Sequence, residues 1–542
     1  MIKQIKLPYE LWNRRIITFG LGIGITGISS FTQAERIPDP NNEKPNVILF
    51  LVDDLGWCDL GCYGSRFYDT PNIDRFAQEG VRFTNAYSAC HVSSPTRASI
   101  MTGKYPATLH LTDWLPGRGD FPFQRLKNPE INQHLPYEEV TIAEALKERG
   151  YSTAIYGKWH LGEDPSNPMA HGFDVHIPDW AKGRPNGSYH APFKLEGISD
   201  KEGDYLTDRL TDEALKYIEK SKDHPFFLYL SHFAVHDPIQ GREDLVKKYE
   251  EKLKKQPLPE GPRYILEGNP DEENQVSLEN HRKLLQNNEY KDFSQLPNRM
   301  SKIKLHQDNV QFAAMVESMD ESLGRVLDKL KELGLNDNTI VIFFSDNGGR
   351  SAATFRRSER AVNDNMPDKG LSTSNLPLRG GKGWLYEGGI RVPMIVKWPR
   401  HGMKGNECDT PVISTDFYPT IMEMLGLQVP EKQKVDGVSI VRLLKGEQKL
   451  DRDAIYWHFP HYSNHGMQSP GGAIRSGDYK LLEYYENYNV QLFNLREDMG
   501  EQHDISASNA EIVNKLRTKL HRWRDKVNAQ MMGPNPGYVP GN

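Results

Sequence analysis

The sequence predicts an α/β fold with a smaller α+β domain at the C-terminus. Two observations carry this prediction. Four continuous apolar runs, each of the length of a strand buried on both faces, alternate with segments of helical period. From about residue 450 these runs give way to shorter strand-like segments followed by one helix. The apolar runs cover residues 47–52, 152–156, 226–230 and 339–344.

Residues 1–34 have the pattern of a signal peptide. Four basic residues lie among the first fifteen, residues 16–31 are apolar and rich in glycine, and Thr32-Gln33-Ala34 offers a small-x-small cleavage site. The apolar stretch is too short and too glycine-rich for a typical membrane span. We therefore expect export to the periplasm or medium of a bacterium, with no stable membrane insertion after cleavage. The alternative is a buried N-terminal helix.

The charge of the chain argues against nucleic acid as a partner. The formal net charge is −6, and because residues 1–34 carry four positive charges and one negative charge, their removal changes it to about −9. An acidic chain does not attract DNA or an anionic membrane through its overall field. Any anionic substrate must therefore meet positive charge concentrated in a pocket.

The first and last apolar runs end in hard oxygen ligands. Asp53 and Asp54 follow residues 47–52, while Asp346 and Asn347 follow residues 339–344. Either pair alone is explained by a turn cap. Two such pairs, each at the end of a buried strand, predict a Ca²⁺ or Mg²⁺ site, because neither thiolate nor imidazole is among them. The chain has four cysteines, which allow three disulfide pairings, and their spacing selects none.

Residues 93–104 predict a helix that begins at a binding site. Pro95 suits a first helical turn, and Ser93 is expected at the cap position, where the helix dipole favours negative charge. Arg97 lies four positions on and is expected on the same face. An oxygen on residue 93 would then face backbone N–H groups and a guanidinium, as a nucleophile that attacks an anion requires. The alternative is an ordinary capped helix with a surface arginine.

The remaining elements complete three predicted domains: the signal peptide at 1–34, a catalytic α/β domain at 35–449 and a small domain at 450–542. Within the second, residues 241–305 are charged and predict a surface insertion with a helix at 243–255. A long helix is predicted at 312–333, closed by Gly334. In the third, strands are predicted at 473–475, 479–482 and 491–495, followed by a helix at 509–528.

Several motifs together resemble the type I sulfatases of the alkaline phosphatase superfamily. The family signature Cys/Ser-x-Pro-Ser/Thr-Arg, followed by Thr-Gly, is matched by residues 93–97 and by Thr102-Gly103. Gly157-Lys158-Trp159-His160, the histidine at 236 and the lysine at 382 match further family motifs in the same order. The resemblance extends from about residue 45 to the C-terminus. It implies a large mixed sheet sandwiched by helices, as in alkaline phosphatase.

The resemblance also implies a mechanism and its cofactors. Ser93 would be oxidised to Cα-formylglycine by a radical maturation enzyme, and its hydrate would attack the sulfur. One Ca²⁺ would be held by Asp53, Asp54, residue 93, Asp346 and Asn347. The residues implied to act on sulfate and protons are Arg97, Lys158 and Lys382 on the sulfuryl oxygens, His236 on the leaving oxygen and His160 in the second step.

The implied substrate is a sulfated carbohydrate, with galactose or N-acetylgalactosamine 4-sulfate as the favoured unit. Aromatic residues and histidines outside the motifs are candidates for sugar recognition: Trp114, Trp180, Tyr189, His190, His458 and His461. One alternative is a phosphoester or phosphonate hydrolase of the same superfamily, although zinc-dependent relatives have Asp-His where this chain has Asp346-Asn347. Another is a silent glycan-binding relative, in which Ser93 is never oxidised.

Overall fold

The structure is a computed structural model that describes residues 44–271, 277–290, 293, 296–297, 300–352 and 371–539. The predicted signal peptide lies outside these residues. Residues from Lys44 onward form one compact unit. None of the helices in the described part combines the length and the apolar character needed to span a bilayer.

The centre of this unit is an eight-stranded mixed sheet, as predicted. In chain order its strands are β1 (Asn46–Val52), β2 (Val81–Phe83), β5 (Ser152–Gly157), β6 (Val175–Ile177), β7 (Phe226–Ser231), β10 (Thr339–Ser345), β11 (Met394–Lys397) and β12 (Asn406–Cys408). Their order across the sheet is β12-β2-β11-β10-β1-β7-β5-β6. From β10 to β6 neighbouring strands are parallel, whereas β11 is antiparallel to both of its neighbours.

The register of the parallel strands brings their ends together. Val52 pairs with Ser345, and Leu51 and Gly157 both pair with Ser231. Because the carboxyl ends of parallel strands share one edge of the sheet, the residues after β1, β5, β7 and β10 meet there. The four predicted apolar runs are these four strands, extended by at most one residue at either end.

Helices cover both faces of the sheet. Ile48, Phe50 and Val52 of β1 face a core shared with α1 (Pro71–Glu79), α4 (Leu206–Lys220), α5 (Glu243–Lys255) and α7 (Val310–Glu332). Val47 and Leu49 face the opposite core, with α2 (Ser93–Thr102), α3 (Ile142–Lys147), α9 (Phe417–Met424) and α10 (Val441–Leu444). The long helix predicted at 312–333 is α7, and Gly334 after it adopts φ +71, the left-handed value that glycine tolerates.

The predicted insertion at 241–305 holds ordered elements and is partly packed into the unit. The predicted helix at 243–255 is confirmed as α5, which buries Leu245, Val246 and Tyr249 and contacts α7. The strands β8 (Tyr264–Glu267) and β9 (Ser301–Lys304) pair antiparallel, with α6 (Leu278–Gln286) between them in sequence. The charged composition includes the exposed positions of α5, and it did not reveal that Leu245, Val246 and Tyr249 form a buried face of this helix.

The C-terminal part has the predicted α+β character. Strands β14 (Ile455–Phe459), β15 (Gly471–Ser476), β16 (Tyr479–Tyr484) and β17 (Val490–Asn494) form an antiparallel sheet, followed by α11 (Ala510–Lys526). The domain boundary between residues 449 and 450 stays a prediction. The remaining elements are short: β3 (Ala86–Tyr87), β4 (Leu126–Lys127), α8 (Glu387–Ile390), β13 (Val412–Ile413) and β18 (Gly533–Pro534).

All four cysteines, Cys58, Cys62, Cys90 and Cys408, have free thiols in the structure. None of the three possible disulfide pairings is therefore present. Cys58, Cys90 and Cys408 are buried, where a free thiol packs as a small apolar side chain.

Candidate active site

A cluster of oxygen ligands lies where β1 and β10 end beside the start of α2. The Ser93 hydroxyl oxygen is 3.2 Å from Asp53 Oδ1 and 3.4 Å from Asn347 Oδ1. Asn347 Nδ2 donates to Asp54 Oδ1 at 2.8 Å, and Asp346 Oδ1 accepts from the backbone N–H of Asp54 at 3.2 Å. The structure thus brings together all five residues predicted to bind a metal.

Three cations surround this cluster. Lys158 Nζ lies 2.6 Å from Asp53 Oδ2 and 3.0 Å from the Ser93 hydroxyl. Lys382 Nζ lies 2.8 Å from Asp54 Oδ2. The Arg97 guanidinium lies 2.8 Å from Asp346 Oδ2. All six of these charged side chains are almost completely buried, and three carboxylates against three cations leave the centre near neutrality.

The carboxylates of this centre have unequal proton affinities. Burial, together with the nearby charge of Asp346, raises the pKa of Asp53 to about 6. Burial also raises the pKa of Asp346, but the charges of Arg97 and Lys158 outweigh it and lower that pKa below its ordinary value. Asp53 is therefore the carboxylate of this centre that holds its proton most readily.

The residues fit a hard divalent cation. Every donor atom in the set is a carboxylate, amide or hydroxyl oxygen, as Ca²⁺ and Mg²⁺ require. Asp53, Asp54 and His236 also have potential ligand atoms within 4.8 Å of one another. A divalent ion here would satisfy Asp53 and would change a nearly neutral centre into a positive one, which suits an anionic substrate.

The start of α2 differs from the prediction in two details. Val92 occupies the cap position, and Ser93 is the first helical residue, so its hydroxyl makes no cap bond and points into the oxygen cluster. Arg97 was expected over Ser93, but its guanidinium is bound by Asp346, by the Lys158 carbonyl and by the Ser231 hydroxyl. The competing carboxylate explains the difference. Pro95 lies in the first turn, as predicted.

His236 has the environment of a protonated imidazole. Its Nδ1 lies 2.8 Å from Asp237 Oδ1, and its Nε2 lies 3.7 Å from Asp54 Oδ2. Burial lowers the pKa of His236, but the carboxylates of Asp237 and Asp54 outweigh it and raise the pKa above its ordinary value. An imidazolium held at Nδ1 by Asp237 leaves its Nε2–H for a reacting group.

His160 has the opposite environment. Burial, together with the charge of Lys158, lowers its pKa well below the ordinary value, so the ring is neutral. Its Nε2 lies 3.0 Å from the Leu115 carbonyl, an acceptor, so Nε2 must donate. The lone pair is therefore on Nδ1, which is buried and has no hydrogen-bond partner among the described residues. This nitrogen therefore has a free lone pair, and the lowered pKa makes that lone pair weakly basic.

These groups open into one cavity of about 640 Å³, whose lining includes Ser93, His160, His236 and Lys382. Of the six candidates for sugar recognition, Trp114 and Trp180 line it. The other four do not line it and have hydrogen-bond partners elsewhere. Tyr189 bonds to the His236 carbonyl, and His190 bonds to the Gly241 carbonyl. His458 bonds to the Tyr485 hydroxyl and the Gln530 carbonyl, and His461 bonds to the Thr112 hydroxyl.

No local pattern indicated several residues that line this cavity: Lys182, Arg184, Asp237, Arg350, Asn464 and His465. Asp237 could have been found, because it follows His236 directly and a carboxylate beside a histidine commonly orients its ring. The others come from loops whose approach to the cavity depends on contacts between residues far apart in sequence.

Two family models match the chain. Residues 45–427 match the model described as Sulfatase, and residues 381–526 match the model described as N-sulphoglucosamine sulphohydrolase, C-terminal. The first match covers all eight strands of the central sheet, the oxygen cluster, its three cations and both histidines, whereas Asn464 and His465 of the cavity lining lie outside it.

Individual proteins are similar over most of their length. A protein named Sulfatase from Formosa agariphila is 30% identical, over 95% of this chain and 94% of its own. Human N-acetylgalactosamine-6-sulfatase is 28% identical, over 88% of this chain and 84% of its own. The crystal structure of Ps i-CgsB in complex with k-i-k-neocarrahexaose superposes with a TM-score of 0.66 at 29% identity, covering 89% of this chain and 93% of that one.

Proposed function

The chain belongs to the sulfatase family and is therefore a sulfuric ester hydrolase, and from that premise we propose that it removes sulfate from a carbohydrate with residue 93 as the nucleophile. The observation that carries the proposal is the position of Ser93. Its hydroxyl lies in the cavity wall and is 3.0 Å from the Lys158 ammonium. A sulfuryl group beside it would meet the two buried lysines and both histidines.

We propose that Lys158 and Lys382 bind the sulfuryl oxygens. A sulfate monoester carries negative charge that spreads over these oxygens as the ester bond breaks, and fixed cations in a buried centre stabilise such charge strongly. Arg97 supports them indirectly, because it holds the Asp346 carboxylate and the Lys158 carbonyl in place. We assign to Arg97 a positioning role as well as a share of the positive field.

We propose one Ca²⁺, held by Asp53, Asp54, residue 93, Asp346 and Asn347. When bound, the ion would polarise a sulfuryl oxygen and offset its negative charge. The oxygen donor set supports this choice, and Asp346-Asn347, without a second histidine ligand, argues against a pair of zinc ions.

We propose that Ser93 is oxidised to Cα-formylglycine by a radical maturation enzyme. The hydrated aldehyde would supply the attacking hydroxyl group. The hydroxyl of an unmodified serine is a weak nucleophile. Around it, His236 holds a proton on Nε2 that can pass to the leaving sugar oxygen, and His160 Nδ1 can accept a proton from residue 93.

For the substrate we propose a sulfated galactose or N-acetylgalactosamine unit within a glycan, with the 4-sulfate favoured. The named activity of the human relative and the carbohydrate bound by Ps i-CgsB support a sugar. Trp114 and Trp180 in the cavity lining support it too, because aromatic faces stack on the apolar faces of sugar rings. Export to the bacterial periplasm or medium remains part of the proposal, since such glycans are found outside the cell.

The test compares matched esters on matured protein. The chain is co-expressed with a maturation enzyme for serine, and the mass of the peptide that contains residue 93 is expected to fall by two hydrogens. The modified protein should hydrolyse galactose and N-acetylgalactosamine 4- or 6-sulfates in preference to the corresponding phosphates. A preference for phosphate or phosphonate esters would favour the alternative superfamily activity, and full activity with unmodified Ser93 would contradict the nucleophile.

A matched pair of variants separates the nucleophile from the helix that carries it. Ser93→Ala should abolish turnover in any host, because no nucleophile remains at the cavity wall. Ser99→Ala removes a hydroxyl from the same helix, where it bonds to Ser414 outside the cavity. It should keep its activity at the cost of about 1 kcal/mol of stability. Equal activity losses in both variants would indicate that α2 has been disturbed.

A further inference from the structure

The cavity carries more positive charge than one sulfate group uses. Lys158 and Lys382 are buried and paired with the carboxylates of the metal cluster. The lining also holds Arg350, whose guanidinium lies 3.6 Å from Asp237 Oδ1, and two exposed cations of one segment, residues 180–187: Lys182 and Arg184. The whole chain is acidic, so this local excess of positive charge does not follow from composition.

Residues 180–187 are fixed against His160. The backbone N–H of His160 donates to the Ala181 carbonyl at 2.8 Å. The indole N–H of Trp180 donates to the Arg184 carbonyl at 2.7 Å, which closes the turn. Gly183 packs directly on the His160 ring, since a Cβ on it would lie 2.4 Å from Cε1. Lys182 and Arg184 therefore lie on either side of Gly183, which contacts His160. The hydrogen bonds of this segment hold their backbone in place.

Neither cation forms a strong ion pair with another described residue. Lys182 Nζ lies 3.6 Å from Glu163 Oε1, and with both side chains more than half exposed this ion pair is weak. The same ammonium lies 5.5 Å from the centre of the Trp180 ring. No carboxylate within the described residues comes within 4 Å of the Arg184 guanidinium. An anion that binds here would therefore have to displace only the weak ion pair between Lys182 and Glu163.

We propose that Lys182 and Arg184 form a second anion subsite, for an oxyanion on the sugar next to the one that carries the scissile sulfate. The inference rests on the proposed carbohydrate sulfatase function. The ligand is a second sulfate or a carboxylate, because both present negatively charged oxygens that a guanidinium can bind in bidentate fashion. The natural substrate is then a polyanionic glycan, and a singly sulfated sugar is a poorer substrate for the enzyme.

The experiment uses three disaccharides with the same scissile sulfate. One carries no other charge, one carries a second sulfate on the neighbouring sugar, and one carries a carboxylate there. For the matured full chain at low salt, kcat/KM should be about tenfold higher for at least one doubly charged substrate, mostly through KM. Added salt should reduce this preference, because exposed charges are screened.

In the double variant Lys182→Gln/Arg184→Gln the ratio between doubly and singly charged substrates should fall to near one. The matched control is Lys247→Gln/Lys255→Gln on α5, which removes two exposed cations outside the cavity lining and should keep the ratio. The doubly charged substrate that loses its advantage identifies the anion as sulfate or carboxylate. A parent enzyme without preference, or a ratio unchanged in the cavity variant, would overturn the subsite.

Binding separates this proposal from the sulfatase proposal. In the inactive Ser93→Ala background, calorimetry should give tighter binding of a doubly charged disaccharide, and the added Lys182→Gln/Arg184→Gln changes should remove the difference. If the parent hydrolyses none of the substrates while this binding preference persists, the hydrolytic proposal fails and the subsite stands. If hydrolysis proceeds without any binding preference, the subsite alone fails.

Discussion

Two histidines on the same cavity have opposite proton affinities. Asp237 and Asp54 raise the pKa of His236, whereas burial and Lys158 lower the pKa of His160. A raised pKa favours the protonated ring that a general acid needs, whereas the lowered pKa leaves His160 neutral, with a free lone pair of low basicity. The division of roles implied by the family resemblance stays a prediction, and the carboxylates around His236 favour the acid role there.

For His236→Ala we expect a loss that depends on the leaving group. A sugar alkoxide departs slowly without a proton, so kcat/KM on a sulfated sugar should fall by about 10²–10⁴. An activated aryl sulfate needs no such proton, and its hydrolysis should fall much less. Steady-state rates on both substrates check this. Equal losses on the two would remove His236 from the acid role.

His160→Ala should instead stall the enzyme after one turnover. The first step does not use the His160 lone pair, so about one equivalent of leaving group per active site should appear rapidly, followed by a slow phase. Stopped-flow with an aryl sulfate measures the burst. His503→Ala changes a mostly exposed histidine and serves as the control. A variant without a burst would indicate that the assigned roles are wrong.

At the scale of elements, the oxygen cluster depends on two strand ends and one helix start. Asp53-Asp54 and Asp346-Asn347 are adjacent because Val52 pairs with Ser345, and α2 adds Ser93 from the side. The local motifs could be found in the sequence because each lies within a few residues of its strand or helix. The binding of Arg97 by Asp346 could not, because it depends on how α2 packs beside the end of β10.

Metal content tests this arrangement. One divalent ion per chain is expected, and a chelator should abolish activity, with Ca²⁺ restoring it better than Zn²⁺ because all the proposed donors are oxygens. Elemental analysis of the purified protein, before and after chelation, measures the ion. Asp346→Asn should lower the metal content, while Asp328→Asn, on a helix away from the cluster, should not. Two zinc ions per chain would point to a phosphatase-like centre instead.

The segment at residues 180–187 offers a test at the same scale. In Gly183→Ala the new methyl group would meet the His160 ring at 2.4–2.7 Å, so the ring or the segment must move. Displacement of a reacting group by about 1 Å can reduce the rate about 10²-fold, and we expect a loss of this order in kcat. Gly119→Ala is the control, because its Cβ would meet nothing within 4 Å. Wild-type kcat in Gly183→Ala would show that the contact does not position His160.

The elements that could be predicted are those whose signal is local. Continuous apolar runs identified β1, β5, β7 and β10, and an apolar period with a closing glycine identified α7. The shorter strands β2, β6, β11 and β12 have three or four residues each; β6 and β11 pair with β5 and β10, whereas β2 pairs with the short strands β11 and β12. Their partners lie up to 325 residues away, as Arg82 and Glu407 do, so local patterns carried no information on them.

At the scale of the whole molecule, a buried ionic network joins the predicted catalytic and C-terminal domains. Lys480 of β16 lies 2.9 Å from Glu387 Oε1 of α8 and 2.8 Å from Glu501 Oε1. The Tyr87 hydroxyl donates to Glu387 at 2.7 Å. These charged side chains are fully buried, and removing one member of such a network leaves an unpaired charge that is strongly destabilising. The interface between the two parts is therefore sensitive to protonation.

The pH dependence of stability should reveal this network. Burial, aided by the Glu387 charge and opposed by Lys480, raises the pKa of Glu501 from 4.5 to about 7. Between these values the unfolded chain has released a proton that the folded chain keeps, so the free energy of unfolding falls as pH rises from about 4.5 to about 7. Above pH 7 the loss is complete and is on the order of 3 kcal/mol.

Glu501→Gln should remove that contribution, because the amide is neutral at every pH in this range. Denaturant unfolding of the parent and the variant at pH 5 and pH 8 measures the difference, and the fall in stability between the two should be smaller in the variant. Glu497→Gln, at an exposed position nearby, should follow the parent at both values. Other buried carboxyl groups contribute equally to parent and variant, so the comparison isolates Glu501. Parallel pH profiles for parent and Glu501→Gln would show that Glu501 ionises as readily in the folded protein as in the unfolded chain.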